Sequence, residues 1–97
     1  SLAVHFYTYA AEQCFAPALN NLADKYENGL GVEQDLSKAL ALYTQAAEQE
    51  IGAAQWSLGL MYLEGKGITQ DKTIAKQWLE KAAGNGWDQA GELLKTF

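Results

Sequence analysis

Small and apolar residues recur along this chain at helical spacing. Ala18, Leu22 and Tyr26 stand at i, i+4 and i+8, one face of a helix. Ala39, Leu42, Tyr43 and Ala46 form a second such stripe, and Ala75, Trp78, Leu79 and Ala82 a third, each broken by polar positions. The stripes are separated by punctuation. Gly29 and Gly31 interrupt the chain after Tyr26, and Gly65 and Gly67 do so after Tyr62; glycine tolerates the left-handed conformation that ends helices. Asp35 and Asp71 follow, where a side-chain oxygen can accept the free N–H groups of a new helix. Pro17 fits a first helical turn, where its missing N–H is no loss. The pattern predicts an all-α chain of about six helices, roughly 1–13, 16–28, 35–49, 52–64, 71–84 and 87–96.

The stripes are copies of one another. Shifted by 36 positions, residues 16–51 meet 52–87 without a gap, and ten of the 36 pairs are identical. Average residue usage gives about two or three. Ala18 meets Ala54, Leu22 meets Leu58, Tyr26 meets Tyr62, Gly29 and Gly31 meet Gly65 and Gly67, Gln34-Asp35 meets Gln70-Asp71, Ala39 meets Ala75, and Ala46-Ala47 meets Ala82-Ala83. The register runs outward: Ala10-Ala11-Glu12-Gln13 precedes Ala46-Ala47-Glu48-Gln49 by the same step, and Ala90 and Leu94 follow Ala54 and Leu58. One domain over 1–97 is expected, divided into a partial unit at 1–15, full units at 16–51 and 52–87, and a partial unit or cap at 88–97. Each unit is a helix pair that buries its apolar face only when stacked on neighbours. Ala39, Ala46, Ala75, Ala82 and Gly59 allow close approach of helices, while Leu58, Tyr62, Trp78 and Leu79 fill the space left.

The run Ala54-Gln55-Trp56-Ser57-Leu58-Gly59-Leu60-Met61-Tyr62, then Gly65-Lys66-Gly67-Ile68-Thr69-Gln70-Asp71 and Lys81-Ala82-Ala83, resembles the Sel-one-like repeat (SLR), a relative of the tetratricopeptide repeat (TPR). The likeness covers nearly the whole chain. It implies a right-handed α-α superhelix, a TPR-like solenoid of antiparallel helix pairs with first helices on the concave side and second helices on the convex side. The family mostly supplies adaptors in multiprotein complexes and is common in bacterial signalling, secretion and envelope proteins. The first full unit departs from the pattern: Ala23 stands for Gly and Lys25 for the residue matching Met61, from which looser packing there is expected. Cys14 and Glu50 occupy turn positions where the family often has Gly.

Charge narrows the partners. With 12 acidic against 7 basic residues the formal net charge is −5 and the pI about 4.6. Nucleic acid and anionic membrane surfaces are disfavoured, since both call for a basic face; a protein or peptide partner, basic or neutral, fits better. No apolar run approaches the ~20 residues that span a bilayer. Ser1-Leu2-Ala3-Val4-His5-Phe6 lacks the basic lead and apolar stretch of a secretory signal, and both bacterial cytoplasm and periplasm stay open. Cys14 is the only cysteine, so no internal disulfide can form.

The resemblance places Asn20, Asp24, Glu27 and Asn28 of one first helix, and Trp56, Leu60, Leu63 and Glu64 of the next, along the groove, with Gln89, Glu92 and Leu93 in the last helix. Trp56, Leu60 and Leu63 share a face at i, i+4 and i+7. Flanked by Asp24, Glu27 and Glu64, they form a shelf suited to an apolar anchor beside a basic group. The plainer alternative is that Trp56 and Leu60 pack against the next unit's first helix, and that the carboxylates only solvate a surface. A two-carboxylate clamp of the kind some TPR proteins build from basic groove residues is not expected in so acidic a groove.

Catalytic chemistry finds little to work with. His5 is the only histidine and lies nine residues from Cys14, so a Cys–His dyad is not expected. Clustered zinc ligands are absent from the sequence pattern. Gly65-x-Gly67 lacks the Lys-Ser/Thr ending and preceding strand of a phosphate loop. The reading is a non-enzymatic interaction module without cofactor or metal; the alternatives are a protein that binds or hydrolyses small ligands or cell-wall amides, and a passive spacer within a larger protein. The family's cysteine-rich secreted members, reported to bind β-lactams, have paired cysteines that this chain lacks. Ser1 aligns with Ser37, inside a unit, so the first helix reads as unpaired, and weak self-association through Val4, Phe6 or Tyr7 is expected. Glu92 and Lys95 give the last helix the polar outer face of a cap, which would put Phe97 near a natural terminus.

Overall fold

A computed structural model describes residues 16–97, and these form five α-helices and no strand. They are α1 (Ala16–Asn28), α2 (Leu36–Glu48), α3 (Gly52–Glu64), α4 (Lys72–Gly84) and α5 (Asp88–Leu94). Expected ranges for α1 and α3 match these bounds, and the others differ by at most two residues at either end. The anticipated helix over 1–13, its unpaired face, and His5 and Cys14 lie outside the described residues.

Each helix starts and stops for a local reason. Asp35 accepts from the Lys38 N–H and Asp71 from the Ile74 N–H, both at 3.0 Å, satisfying an otherwise orphaned donor at the N-termini of α2 and α4. Gly65 ends α3 in the left-handed region at φ 70°, and Gly29 sits after α1 at φ 66°. The two loops are then tied by the same bonds. Asp35 N–H donates to Tyr26 O and Asp71 N–H to Tyr62 O, each at 2.9 Å. The Gln34 side chain donates to Glu27 O at 2.8 Å and the Gln70 side chain to Leu63 O at 2.7 Å. That accounts for the repeated Gln-Asp: one residue anchors the loop to the helix before it and the other opens the helix after it.

Helix neighbours in sequence are neighbours in space: α1 packs on α2, α2 on α3, α3 on α4 and α4 on α5. One buried cluster runs through the first three helices and includes Leu19, Leu22, Ala23, Ala39, Tyr43, Ala46, Ala54, Leu58 and Met61. A second, smaller cluster of Leu79, Ala82 and Ala90 joins α4 to α5. Leu58 and Leu79 are fully buried as expected, whereas Tyr62 and Trp78 are only half-buried at the margin of the first cluster. Ala23 is itself fully buried, so the first unit closes without a glycine at that position. At its counterpart Gly59, an added Cβ would lie 2.9 Å from Leu79 Cδ2, so glycine there matches the branched leucine opposite it.

Candidate functional site

The first helices of the pairs, α1, α3 and α5, carry the residues singled out above. On α3, Leu58 and Met61 point into the core, and Trp56, Leu60 and Leu63 are half-buried. Leu60 and Leu63 therefore remain available at the surface. Asp24 and Glu64 are exposed. Asp24 accepts from the Asn28 side chain at 3.0 Å through Oδ1, which holds both residues on the outer turn of α1.

Trp56 has packing of its own. Its ring lies 6.4 Å from that of Trp87, tilted by 34°, at the entry to α5. Both rings press on the cluster of Leu79, Ala82 and Ala90. Asn20 is the register counterpart of Trp56, and its Oδ1 is buried without a hydrogen bond, as is Trp87 Nε1. Gln89 and Glu92 are exposed and Leu93 is half-buried; Glu92 pairs with Lys95 at 3.3 Å on a fully solvated turn.

Glu27 is drawn inward. One carboxylate oxygen accepts from Tyr43 Oη at 2.8 Å, and the other accepts from Lys66 Nζ at 2.9 Å. Its side chain is only 18% exposed, so the carboxylate is spent on joining its own second helix to the loop of the next unit. Burial, then the bond to Glu27 and the negative charges of Glu27 and Asp24, hold the Tyr43 phenol far above its ordinary range and keep it protonated as a donor. The same loop meets α2 directly: a Cβ on Gly67 would stand 2.7 Å from Leu36 Cβ. Residues Lys66 and Gly67 thus fill a socket made by Glu27 and Leu36.

The corresponding residues one unit on lie at the edge of a groove. A shallow groove of about 340 Å³ is lined by Leu63, Lys72, Leu93, Thr96 and Phe97. Leu63 is the counterpart of Glu27, and Lys72 of Leu36. Lys72 was not foreseen as a site residue, although the 36-residue shift showed the exchange of Leu for Lys.

A second polar junction was also hidden in the sequence. Glu50 has φ 64°, the non-glycine residue with a left-handed backbone among those described. Its Oε2 accepts from the Gln55 side chain at 3.1 Å and from the Asn85 side chain at 3.0 Å, and Asn85 also donates to Gln55 Oε1 at 2.8 Å. These bonds, that from Asn85 foremost, hold the Glu50 carboxyl below its ordinary value. Gln55, fully buried, spends a further bond on Ala47 O at 3.0 Å. Among the described residues no group of His, Cys, Asp and Glu is placed to hold a metal ion, and no helix is long and apolar enough to cross a membrane.

Stacked helix pairs, repeated loop bonds and a core that runs from one pair into the next define an α-helical repeat solenoid. The chain belongs to the Sel1 repeat family, whose model matches residues 1–13, 16–50 and 52–87. Solved structures agree. The chain is 35% identical to a Sel1 repeat protein from Oxalobacter formigenes, with a TM-score of 0.95 over 99% of this chain and 38% of that one. It is 30% identical to c5321, a protective antigen present in uropathogenic Escherichia coli strains and displaying an SLR fold, with a TM-score of 0.90 over 94% of this chain and 20% of that one. It is also 30% identical to Helicobacter pylori cysteine rich protein B, with a TM-score of 0.89 over 94% of this chain and 68% of that one. No curated protein sequence matches. The chain thus spans well under half the length of the first two structures it resembles.

Proposed function

We propose that the chain is a protein–protein interaction module that docks a partner protein or peptide on the face formed by its first helices. Sel1 repeats commonly serve as interaction modules and typically are non-catalytic scaffolds. The observation that carries the reading is the half-exposed apolar pair Leu60 and Leu63, on the side of α3 turned away from the buried Leu58 and Met61, with exposed Glu64 next along the helix and exposed Asp24 at the register position of Leu60 on α1. An apolar centre with a charged rim is how docking surfaces concentrate their affinity. The rim is acidic, so a basic group next to the partner's apolar anchor suits it. Asn20 and Trp56 border this face and help shape it, while Glu27 acts from below it, with both oxygens engaged.

Partner capture followed by variants tests the assignment. Leu60→Glu and Asp24→Lys change half-exposed or exposed positions, so the fold is expected to survive, which circular dichroism checks. A captured partner should lose at least tenfold in affinity to either variant. Full retention by both folded variants would move the docking surface elsewhere; a chain that captures nothing specific is a spacer.

A further inference from the structure

The chain contains two Asn-Gly steps, Asn28-Gly29 and Asn85-Gly86, and the fold restrains them by different means. Such a step is a reactive setting for an asparagine amide, because no side chain on the next residue screens its backbone nitrogen. That nitrogen can attack the amide carbon and close a five-membered ring. At Asn28 the restraint is local: the side-chain amide donates to Asp24 O and Asp24 Oδ1, both at 3.0 Å, within one turn of α1. At Asn85 it is distant. Nδ2 donates to Glu50 Oε2 at 3.0 Å and to Gln55 Oε1 at 2.8 Å, 35 and 30 positions back, so the turn after α4 is tied to the turn after α2 and to the start of α3. Ring closure would bring Gly86 N against Asn85 Cγ. In the folded chain Asn85 has ψ 17° and the Gly86 N–H donates to Ala83 O at 3.1 Å, so that nitrogen is directed back along α4. Attack needs the turn to swing open, and the two bonds from Asn85 oppose that opening.

We propose that Asn85 is a self-modification site, at which loss of the amide is gated by the bonds between the two turns and the product then unlinks them. The step balances with water alone. The bond from Gly86 N to Asn85 Cγ forms as the Cγ–Nδ2 bond breaks, and ammonia leaves with the proton from Gly86 N. Water opens the ring at either carbonyl, leaving aspartate or isoaspartate at position 85. Each product exchanges two donor hydrogens for a carboxylate. Glu50 Oε2 and Gln55 Oε1 are both acceptors, and the Gln55 amide nitrogen is already engaged by Ala47 O at 3.0 Å and Glu50 Oε2 at 3.1 Å. The new charge therefore faces the Glu50 carboxylate where its donor used to be. Isoaspartate also adds a methylene to the main chain between α4 and α5, next to the Trp87 N–H that donates to Ala82 O at 3.0 Å.

The test is prolonged incubation of the folded chain in mildly alkaline buffer, with peptide mapping by mass spectrometry to follow the amide-to-acid mass gain at each asparagine. Asn85 is expected to convert at least about threefold more slowly than Asn28, and unfolding in urea should remove the difference. Glu50→Ala should speed Asn85 by at least about threefold and leave Asn28 unchanged. Glu50→Gln keeps the side chain's shape and should speed Asn85 by less, which covers an alanine variant that fails to fold. An Asn85 that keeps its amide while Asn28 converts fully, or Glu50 variants in which both sites accelerate equally, would overturn the gating. Unlinking is read from thermal unfolding. Asn85→Asp should melt below wild type, and adding Glu50→Gln, which supplies a donor to the new carboxylate, should recover most of the loss. Asn28→Asp should leave the melting temperature nearly unchanged. An Asn85→Asp chain as stable as wild type, or a loss that Glu50→Gln does not reduce, would show that the product unlinks nothing and overturn that half of the proposal.

Discussion

Gly67 and Glu50 both hold a left-handed backbone. Gly67 combines a φ of 76° with backbone pressed against Leu36, a position that a side chain could enter only by moving Leu36. Gly67→Ala is expected to lower stability by about 1–3 kcal/mol, the usual cost of a non-glycine residue in such a region, and thermal unfolding measures it. Glu50 holds its left-handed backbone by side-chain bonds to Gln55 and Asn85. Glu50→Ala keeps the strain and loses the bonds, whereas Glu50→Gly, matching Gly86 at φ 89° one unit on, loses both. Glu50→Gly is therefore expected to melt at a higher temperature than Glu50→Ala; the reverse order would show that the bonds do not offset backbone strain. The Glu50 carboxyl is held below its ordinary value of 4.5, so the unfolded chain takes up its proton first as pH falls. Its contribution is fully present above the unfolded value and disappears as pH drops through the lower folded one. Wild type should lose its advantage over Glu50→Gln in acid below about pH 4.5, a comparison denaturant titrations can make.

Among the elements, α2 and α4 have the clearest start signals. Asp35→Ala and Asp71→Ala each leave a first-turn N–H without its side-chain acceptor at 3.0 Å. A loss of about 1 kcal/mol per variant is expected in chemical denaturation, and Asp→Asn should cost much less. The sequence marked both caps, both glycine stops and the helix periodicity, because these are local properties of a few adjacent residues. It did not mark Gln55 as buried or Asn85 as its partner, because that bond spans 30 positions and depends on how one pair stacks upon the next. That Trp56 could pack on the next unit's first helix was legible; that it meets Trp87 at the entry to α5 was not, since α5 had first to be placed.

For the molecule as a whole, the question is how one pair is held to the next. The buried cluster does most of this, and Glu27 adds a polar link from Tyr43 of its own pair to Lys66 of the following loop. Lys66 is 37% exposed, so its ion pair is partly screened and contributes on the order of 0.5–1 kcal/mol. Removal of the carboxylate is worse, because it also takes away the acceptor of the buried Tyr43 hydroxyl. Glu27→Ala is accordingly expected to destabilise more than Lys66→Ala, and a double-mutant cycle should show coupling between the two.

From sequence alone came the fold class, the 36-residue unit, the helix boundaries within a residue or two, and the loops, since each follows from periodicity, glycine and capping chemistry repeated in tandem. Which of the marked residues stay free was decided only by stacking. Glu27 was expected to line the groove and is instead engaged at 2.8 and 2.9 Å, while Lys72, unremarked in the sequence, lines a groove beside Leu63. The reason is physical: helix periodicity assigns a residue to a face, but whether that face meets solvent or a neighbouring loop depends on contacts made 39 positions away, as between Glu27 and Lys66.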